Sequence, residues 1–194
     1  AQAVGDLLRQ AKRPFVIAGG SGWTPQSARA LQRFVERWQL PVGNAFRFQD
    51  CFDNYHDLYA GDVGIGINPA LAARLRDSDL LIAIGPRLGE MTTGSYNLLP
   101  APKLRQKLVH IHAGADELNR VYQADLAINA GMESAMQALD ALDAPATSAW
   151  SDWAQACHAD YLANLKPQAL PGKIDMPAIV ALLQKHLPHD AVLT

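Results

Sequence analysis

Glycine-rich segments that follow apolar runs are where this sequence concentrates residues capable of chemistry. Gly19-Gly20-Ser21-Gly22 comes after Phe15-Val16-Ile17-Ala18 and before Thr24-Pro25. Backbone amides free of side chains at such a strand-to-helix turn can approach a phosphate at the positive helix end. A dinucleotide fingerprint wants a third glycine, and position 25 is proline. A tight turn explains the same residues equally well. Gly61-Asp62-Val63-Gly64-Ile65-Gly66-Ile67-Asn68-Pro69 brings three more glycines to a helix start, and Gly85-Pro86-Arg87-Leu88-Gly89-Glu90 follows the most apolar run. Three such loops at one sheet edge, with the Arg87 cation among them, point to an extended, phosphate-bearing ligand. They do not say which nucleotide it is.

Other constellations weigh less. His110 and His112 alternate on a strand and share a face, yet no third metal ligand has useful spacing. Cys51 and His56 lack a group to orient the histidine. Ser21 lacks the context of a nucleophile elbow. Asp116-Glu117 reads as a helix start, where negative charge complements the dipole. Arg47 stands where an acid would hold a ribose, suited either to a phosphate or to capping a strand. The long polar stretch 47–57 reads either as a functional loop or as a surface that packs on a neighbouring domain. Trp150, Trp153, Cys157 and Tyr161 form a helical packing stripe. No catalytic set and no metal site emerges.

Continuous apolar runs at 15–18, 41–46, 79–85 and 108–112 read as strands buried on both faces, with a fifth strand at 124–129. Helical periodicity marks the opening residues to 11, then 25–38, 69–76, 131–142, 150–165 and 176–187, with a further strand starting at 191–193. Residues 47–68 and 86–106 read as long connections. Alternating strands and helices predict a Rossmann-like, doubly wound α/β domain, its mostly parallel sheet flanked by helices, with a helical C-terminal tether. Seventeen basic against nineteen acidic side chains give a net charge of -2, which argues against nucleic acid as the main partner. No apolar run approaches membrane-spanning length, and the two cysteines are far apart. A cytoplasmic address follows as the expectation. Both ends, Ala1 without an initiator methionine and the apolar run up to Thr194, read as cuts through a longer polypeptide.

The ordered series Lys12-Arg13-Pro14-Phe15-Val16-Ile17-Ala18-Gly19-Gly20-Ser21-Gly22, Leu40-Pro41-Val42, Tyr59-Ala60-Gly61-Asp62-Val63-Gly64, Asp79-Leu80-Leu81-Ile82-Ala83-Ile84-Gly85-Pro86-Arg87 and Val109-His110-Ile111-His112 resembles the central domain of thiamine diphosphate-dependent enzymes of the acetolactate synthase type. The resemblance runs from about residue 8 to 142. It implies a parent of three α/β domains: 1–143 would be the central nucleotide-fold domain, and 144–194 a helical linker with the first strand of a truncated third domain. It further implies a carboligase or decarboxylase acting on 2-oxo acids. Thiamine diphosphate and Mg2+ would be bound by pyrimidine- and diphosphate-binding domains absent here, so that this chain alone would be inactive. A homo-oligomeric parent is also implied. FAD or an ADP-like nucleotide would occupy a groove lined by Gly19, Gly20, Gly22, Gly64, Gly66 and Arg87. His112-Ala113-Gly114-Ala115 and Leu88-Gly89-Glu90 depart from the FAD-binding pattern. The alternative is a stand-alone FAD-, NAD- or ADP-binding regulatory module.

Overall fold

A computed structural model describes residues 1–167, 170–172, 175–188 and 190–191. The expected start of a strand at 191–193 falls, beyond Ala191, outside the described residues. The chain forms two compact units, Ala1–Tyr161 and Leu162–Thr194.

The first unit is built on a six-stranded, all-parallel sheet: β1 (Pro14–Ala18), β2 (Val42–Ala45), β3 (Tyr59–Val63), β4 (Leu80–Ile84), β5 (Lys107–His112) and β6 (Leu126–Asn129). Their spatial order is β3-β2-β1-β4-β5-β6, so the winding reverses between β1 and β4. This is the doubly wound fold the apolar runs predict. β1 and β4 are buried at every position because helices cover both sheet faces. Val16, Ile82 and Val109 face one layer, with α1 (Gln2–Gln10), α2 (Pro25–Trp38) and α5 (Met132–Asp140) supplying Leu8, Phe34, Trp38 and Met136. Phe15, Ile17 and Leu81 face the other, against Leu71 and Leu75 of α3 (Pro69–Asp77) and Leu99 and Tyr122 from connections.

Local chemistry sets the boundaries. Proline at the first turn of α2 follows a reciprocal cap: the Ser27 amide donates to Thr24 Oγ1 (3.1 Å) and the Thr24 amide to Ser27 Oγ (2.8 Å). Between α1 and β1, the Asp79 carboxylate accepts from the amides of Lys12 (2.7 Å) and Arg13 (2.9 Å). Asn68 caps α3 through the Ala70 amide at 3.0 Å.

Two segments depart from the sequence reading. Residues 47–68 are not one polar connection, because Tyr59–Val63 forms the edge strand β3. Gly61 and Asp62 are poor strand formers, so propensity hid it. A register shift between Val42 and Gly43 accommodates the pairing, and a Cβ on Gly43 would come within 2.7 Å of Val63 Cγ2. Residues 86–106 contain one further helical turn, α4 (Glu90–Thr93). The 47–57 stretch folds inward, burying Cys51 and Phe52 in the core.

Within the same unit, the first eleven residues of α6 (Ser151–Asn164) lie along the N-terminal edge of the sheet. Trp150 donates its indole N–H to Trp38 C=O (2.9 Å), and Trp153 donates to Pro14 C=O (3.0 Å). Tyr161 meets Tyr59 edge-on at 4.9 Å, and Arg74 donates to Asp160 at 2.7 Å. The second unit contains α7 (Met176–His186), capped by Asp175, whose carboxylate accepts from the Ala178 amide at 3.3 Å.

Candidate functional site

Open α/β sheets place ligands beyond the carboxyl ends of the strands, at the point where the winding reverses. Here that point holds a crevice of about 700 Å3, within the range of small-molecule sites. Its floor is a close approach of two backbones. The Gly19 amide donates to Ile84 C=O at 3.1 Å, and the Gly85 amide to Ile111 C=O at 2.8 Å. Gly20 and Gly85 hold φ of +75° and +89°, and a Cβ on either would overlap the other loop's carbonyl. Only glycine satisfies both constraints.

Of the residues expected from sequence, Gly20 and Arg87 line the crevice, with Gly85, Pro86 and Gly89 of the same loops. Gly19 is not among the lining residues; its carbonyl accepts from the Trp23 indole at 2.7 Å. Gly22 has nothing within 4 Å of a would-be Cβ. Gly64 packs against Phe46 and Asp62, Gly66 faces open space, and neither is among the lining residues. Arg47 is not among the lining residues; its guanidinium sits 5.1 Å from the centre of the Phe46 ring.

The sequence reading did not single out the other lining residues, although Met91 lies in the glycine-rich 85–94 segment and Phe48 in the 47–57 loop. Phe46 and Phe48 form a wall at the end of β2, and Tyr96 and Met91 come from the β4–β5 connection. Glu117 and Arg120 follow β5. Asp116-Glu117 starts no regular helix, only a 3-10 turn at Ala115–Glu117. The Glu117 carboxylate instead accepts from Arg120 at 3.0 Å and lies 4.0 Å from Arg87. The signal available beforehand was an acid and a base three residues apart just beyond a strand end.

His110 supports the loop that carries Arg87. It is 2% exposed, and its Nε2–H donates to Pro86 C=O at 2.8 Å, while Nδ1 is buried without a partner. Burial, aided by the nearby His112, pulls its pKa below the ordinary value against the opposing pull of the Pro86 hydrogen bond and Glu117. The fold therefore favours neutral imidazole. Its contribution is complete above the unfolded pKa of about 6.5 and is lost as pH falls from there toward the lowered folded value. Urea midpoints are expected to drop between pH 7 and pH 5, and His110→Gln should flatten that slope by at most about 1.4 kcal/mol per pH unit. Equal slopes in both proteins would refute the assignment.

Both cysteines are buried. Burial pushes the Cys51 and Cys157 thiols up to about 12, too high for a nucleophile. His56 does have an orienting acid, Glu36 at 3.1 Å, and its Nδ1 accepts from the Leu58 amide. It is thereby committed to holding its own loop.

Comparison with known proteins agrees with this geometry. The family pattern described as "Thiamine pyrophosphate enzyme, central domain" matches residues 1–139. Glyoxylate carboligase of Escherichia coli O157:H7 is 32% identical over 135 residues, which is 69% of this chain and 22% of that protein. The acetolactate synthase large subunit of Parasynechococcus marenigrum (strain WH8102) is 31% identical over 123 residues, 63% of this chain and 19% of the relative. A probable acetolactate synthase large subunit of Methanocaldococcus jannaschii is 29% identical over 133 residues. The matched stretch thus spans about a fifth of the relatives' length. With its doubly wound parallel sheet and a match over most of its length, the chain belongs to the thiamine pyrophosphate enzyme central-domain family.

Proposed function

We propose that this domain serves a thiamine diphosphate-dependent carboligase or decarboxylase acting on 2-oxo acids. It would be the scaffold between a pyrimidine-binding and a diphosphate-binding domain in a cytoplasmic, homo-oligomeric parent. The observation that carries this reading is the 32% identity to glyoxylate carboligase across 69% of the chain. The boundary at 143/144 and the inactivity of the isolated chain belong to the same proposal. Among the described residues no three His, Cys, Asp or Glu side chains converge as metal ligands, and no helix is long and apolar enough to cross a membrane. The donor set here does not fit a magnesium diphosphate, so no thiamine step is assigned to this domain.

A nucleotide such as FAD or ADP fits the crevice better. The glycine floor lets a ligand approach the backbone, Phe46 and Phe48 offer aromatic faces, and Arg87 and Arg120 offer anion donors. The relatives are each several times longer than the matched stretch, which favours a domain of a larger enzyme over a stand-alone module. The test is the full open reading frame around this segment, expressed and assayed with pyruvate or glyoxylate. Carbon dioxide release that requires thiamine diphosphate and Mg2+ is expected, with none from the 194-residue chain. A full-length product that binds no thiamine diphosphate would end the proposal.

A further inference from the structure

A second, smaller cavity of about 210 Å3 lies at the other end of the sheet. Arg76, at the end of α3, forms one side, Leu98, Leu99 and Pro100 form another, and Arg105 and Gln106 complete it. Arg76 leads into β4 and Gln106 into β5, which places the cavity at the N-terminal edge, away from the crevice.

Its two cations have no counter-ion. Arg74 is held by Asp160, and Arg87 and Arg120 stand beside Glu117. Among the described residues, the exposed Arg76 and Arg105 side chains make neither an ion pair nor a hydrogen bond. No Asp or Glu lines the cavity. The acids of this edge are engaged elsewhere. Asp125 is shared by Lys103 (3.3 Å) and Lys107 (3.0 Å), and Asp79 accepts from the amides of Lys12 and Arg13. Asp77, next to Arg76 in the chain, is exposed and outside the lining.

A helix C-terminus ordinarily repels an anion. Here the last carbonyls of α3 are occupied: Gln106 Nε2 donates to Leu75 C=O (2.7 Å) and Arg76 C=O (3.1 Å), and Ser78 Oγ donates to Leu75 C=O (2.8 Å). The same amide sets the two arginines at one cavity, because Gln106 follows Arg105 and holds the carbonyl of Arg76. Gln106 is 4% exposed and its Oε1 is buried, so the cavity presents the guanidiniums and not that acceptor. The apolar wall of Leu98, Leu99 and Pro100 reduces screening of any charge placed there.

Guanidinium forks match oxyanions, and two unpaired forks favour a dianion with several acceptor oxygens over a single carboxylate. The volume falls below the roughly 300 Å3 at which small-molecule pockets begin, which suits an ionic headgroup and not a whole nucleotide. We propose that the Arg76–Arg105 cavity is a binding site for a phosphate-class oxyanion, separate from the crevice and independent of the nucleotide reading.

The test is a titration of the 194-residue chain with inorganic phosphate at neutral pH, followed by amide NMR shifts, with sodium chloride holding the ionic strength constant. Saturating shifts are expected at the amides of 97–99, 105 and 106. Arg76→Gln and Arg105→Gln should each weaken the fitted affinity about fivefold, the upper scale of an exposed ion pair. Arg29→Gln, which removes the same charge from an exposed position on α2, should leave it unchanged. Acetate should bind several-fold more weakly than phosphate. Urea midpoints in phosphate-free buffer would confirm that each variant is folded. The proposal is overturned if those amides show no saturating shift, or if Arg29→Gln loses as much affinity as the other two, since net charge alone would then be responsible. Unchanged affinity in both Arg76→Gln and Arg105→Gln would place the phosphate elsewhere, the crevice included, and overturn it as well. Acetate binding as tight as phosphate would remove the two-arginine clamp.

Discussion

Gly85→Ala is expected to cost the domain about 2–5 kcal/mol and to lower its melting temperature by about 5–15 °C. Two effects add. The residue holds φ of +89°, a left-handed conformation that an L side chain adopts at a cost of about 1–2 kcal/mol. The new methyl group would also overlap the Gly19 carbonyl and come within 2.9 Å of Met132 Sδ. Overpacking of this kind costs about 1–3 kcal/mol, and the obstructing atom is backbone, which cannot rotate away. Gly22→Ala is the internal control. Its φ of +88° is nearly the same, but nothing lies within 4 Å of its would-be Cβ. It should show the conformational cost alone, about 1–2 kcal/mol. Thermal and urea unfolding of both variants would separate the terms. Equal losses at the two positions would mean that the close approach of the β1 and β4 loops contributes nothing. Because that approach is also the floor of the crevice, the nucleotide reading proposed above predicts weaker ADP binding by Gly85→Ala and largely intact binding by Gly22→Ala.

How much of this was legible beforehand follows from where the information resides. Phe15-Val16-Ile17-Ala18 and Leu80-Leu81-Ile82-Ala83-Ile84 announce themselves because strands covered on both faces need apolar residues at every position. β3 was invisible for the converse reason. Gly61 and Asp62 survive in it because β2 supplies Gly43 opposite and the register shifts to fit. Tertiary pairing overrode local propensity there. The glycines at the crevice were readable, since turns with positive φ restrict residue type locally. The Glu117 cluster was not. Arg87 and Glu117 are distant in sequence, and they meet only because β4 and β5 pair in a register that sets Ile84 beside Ile111. The Trp150-to-Tyr161 stripe showed its apolar periodicity in sequence, but not the surface that would receive it.

That receiving surface makes the limits of the folding unit testable. A chain ending at residue 143 is expected to be less stable than one ending at 161 by about 3–5 kcal/mol, the scale of losing a buried tryptophan. Trp150 is 3% exposed, and Ala154 and Cys157 are 1% exposed, so three residues beyond 143 are part of the core. A tryptophan buries roughly 200 Å2, worth about 5 kcal/mol at 25 cal/mol per Å2, an upper figure because unfolded chains are partly compact. Helical hydrogen bonds and the anchors at Trp38, Pro14 and Arg74 hold the added segment against the domain. The shorter chain would also uncover Tyr59 and Gly61, which Tyr161 covers on the edge strand. Urea midpoints should therefore rank 1–143 well below 1–161, with 1–161 close to the 194-residue chain. Trp150→Ala in the 194-residue chain should reproduce most of the loss. Matching midpoints for 1–143 and 1–161 would return residues 144–161 to the role of linker. A gap of the expected size would mean that the domain carries its own brace along the N-terminal edge of the sheet, opposite the crevice, whatever follows it in a longer polypeptide.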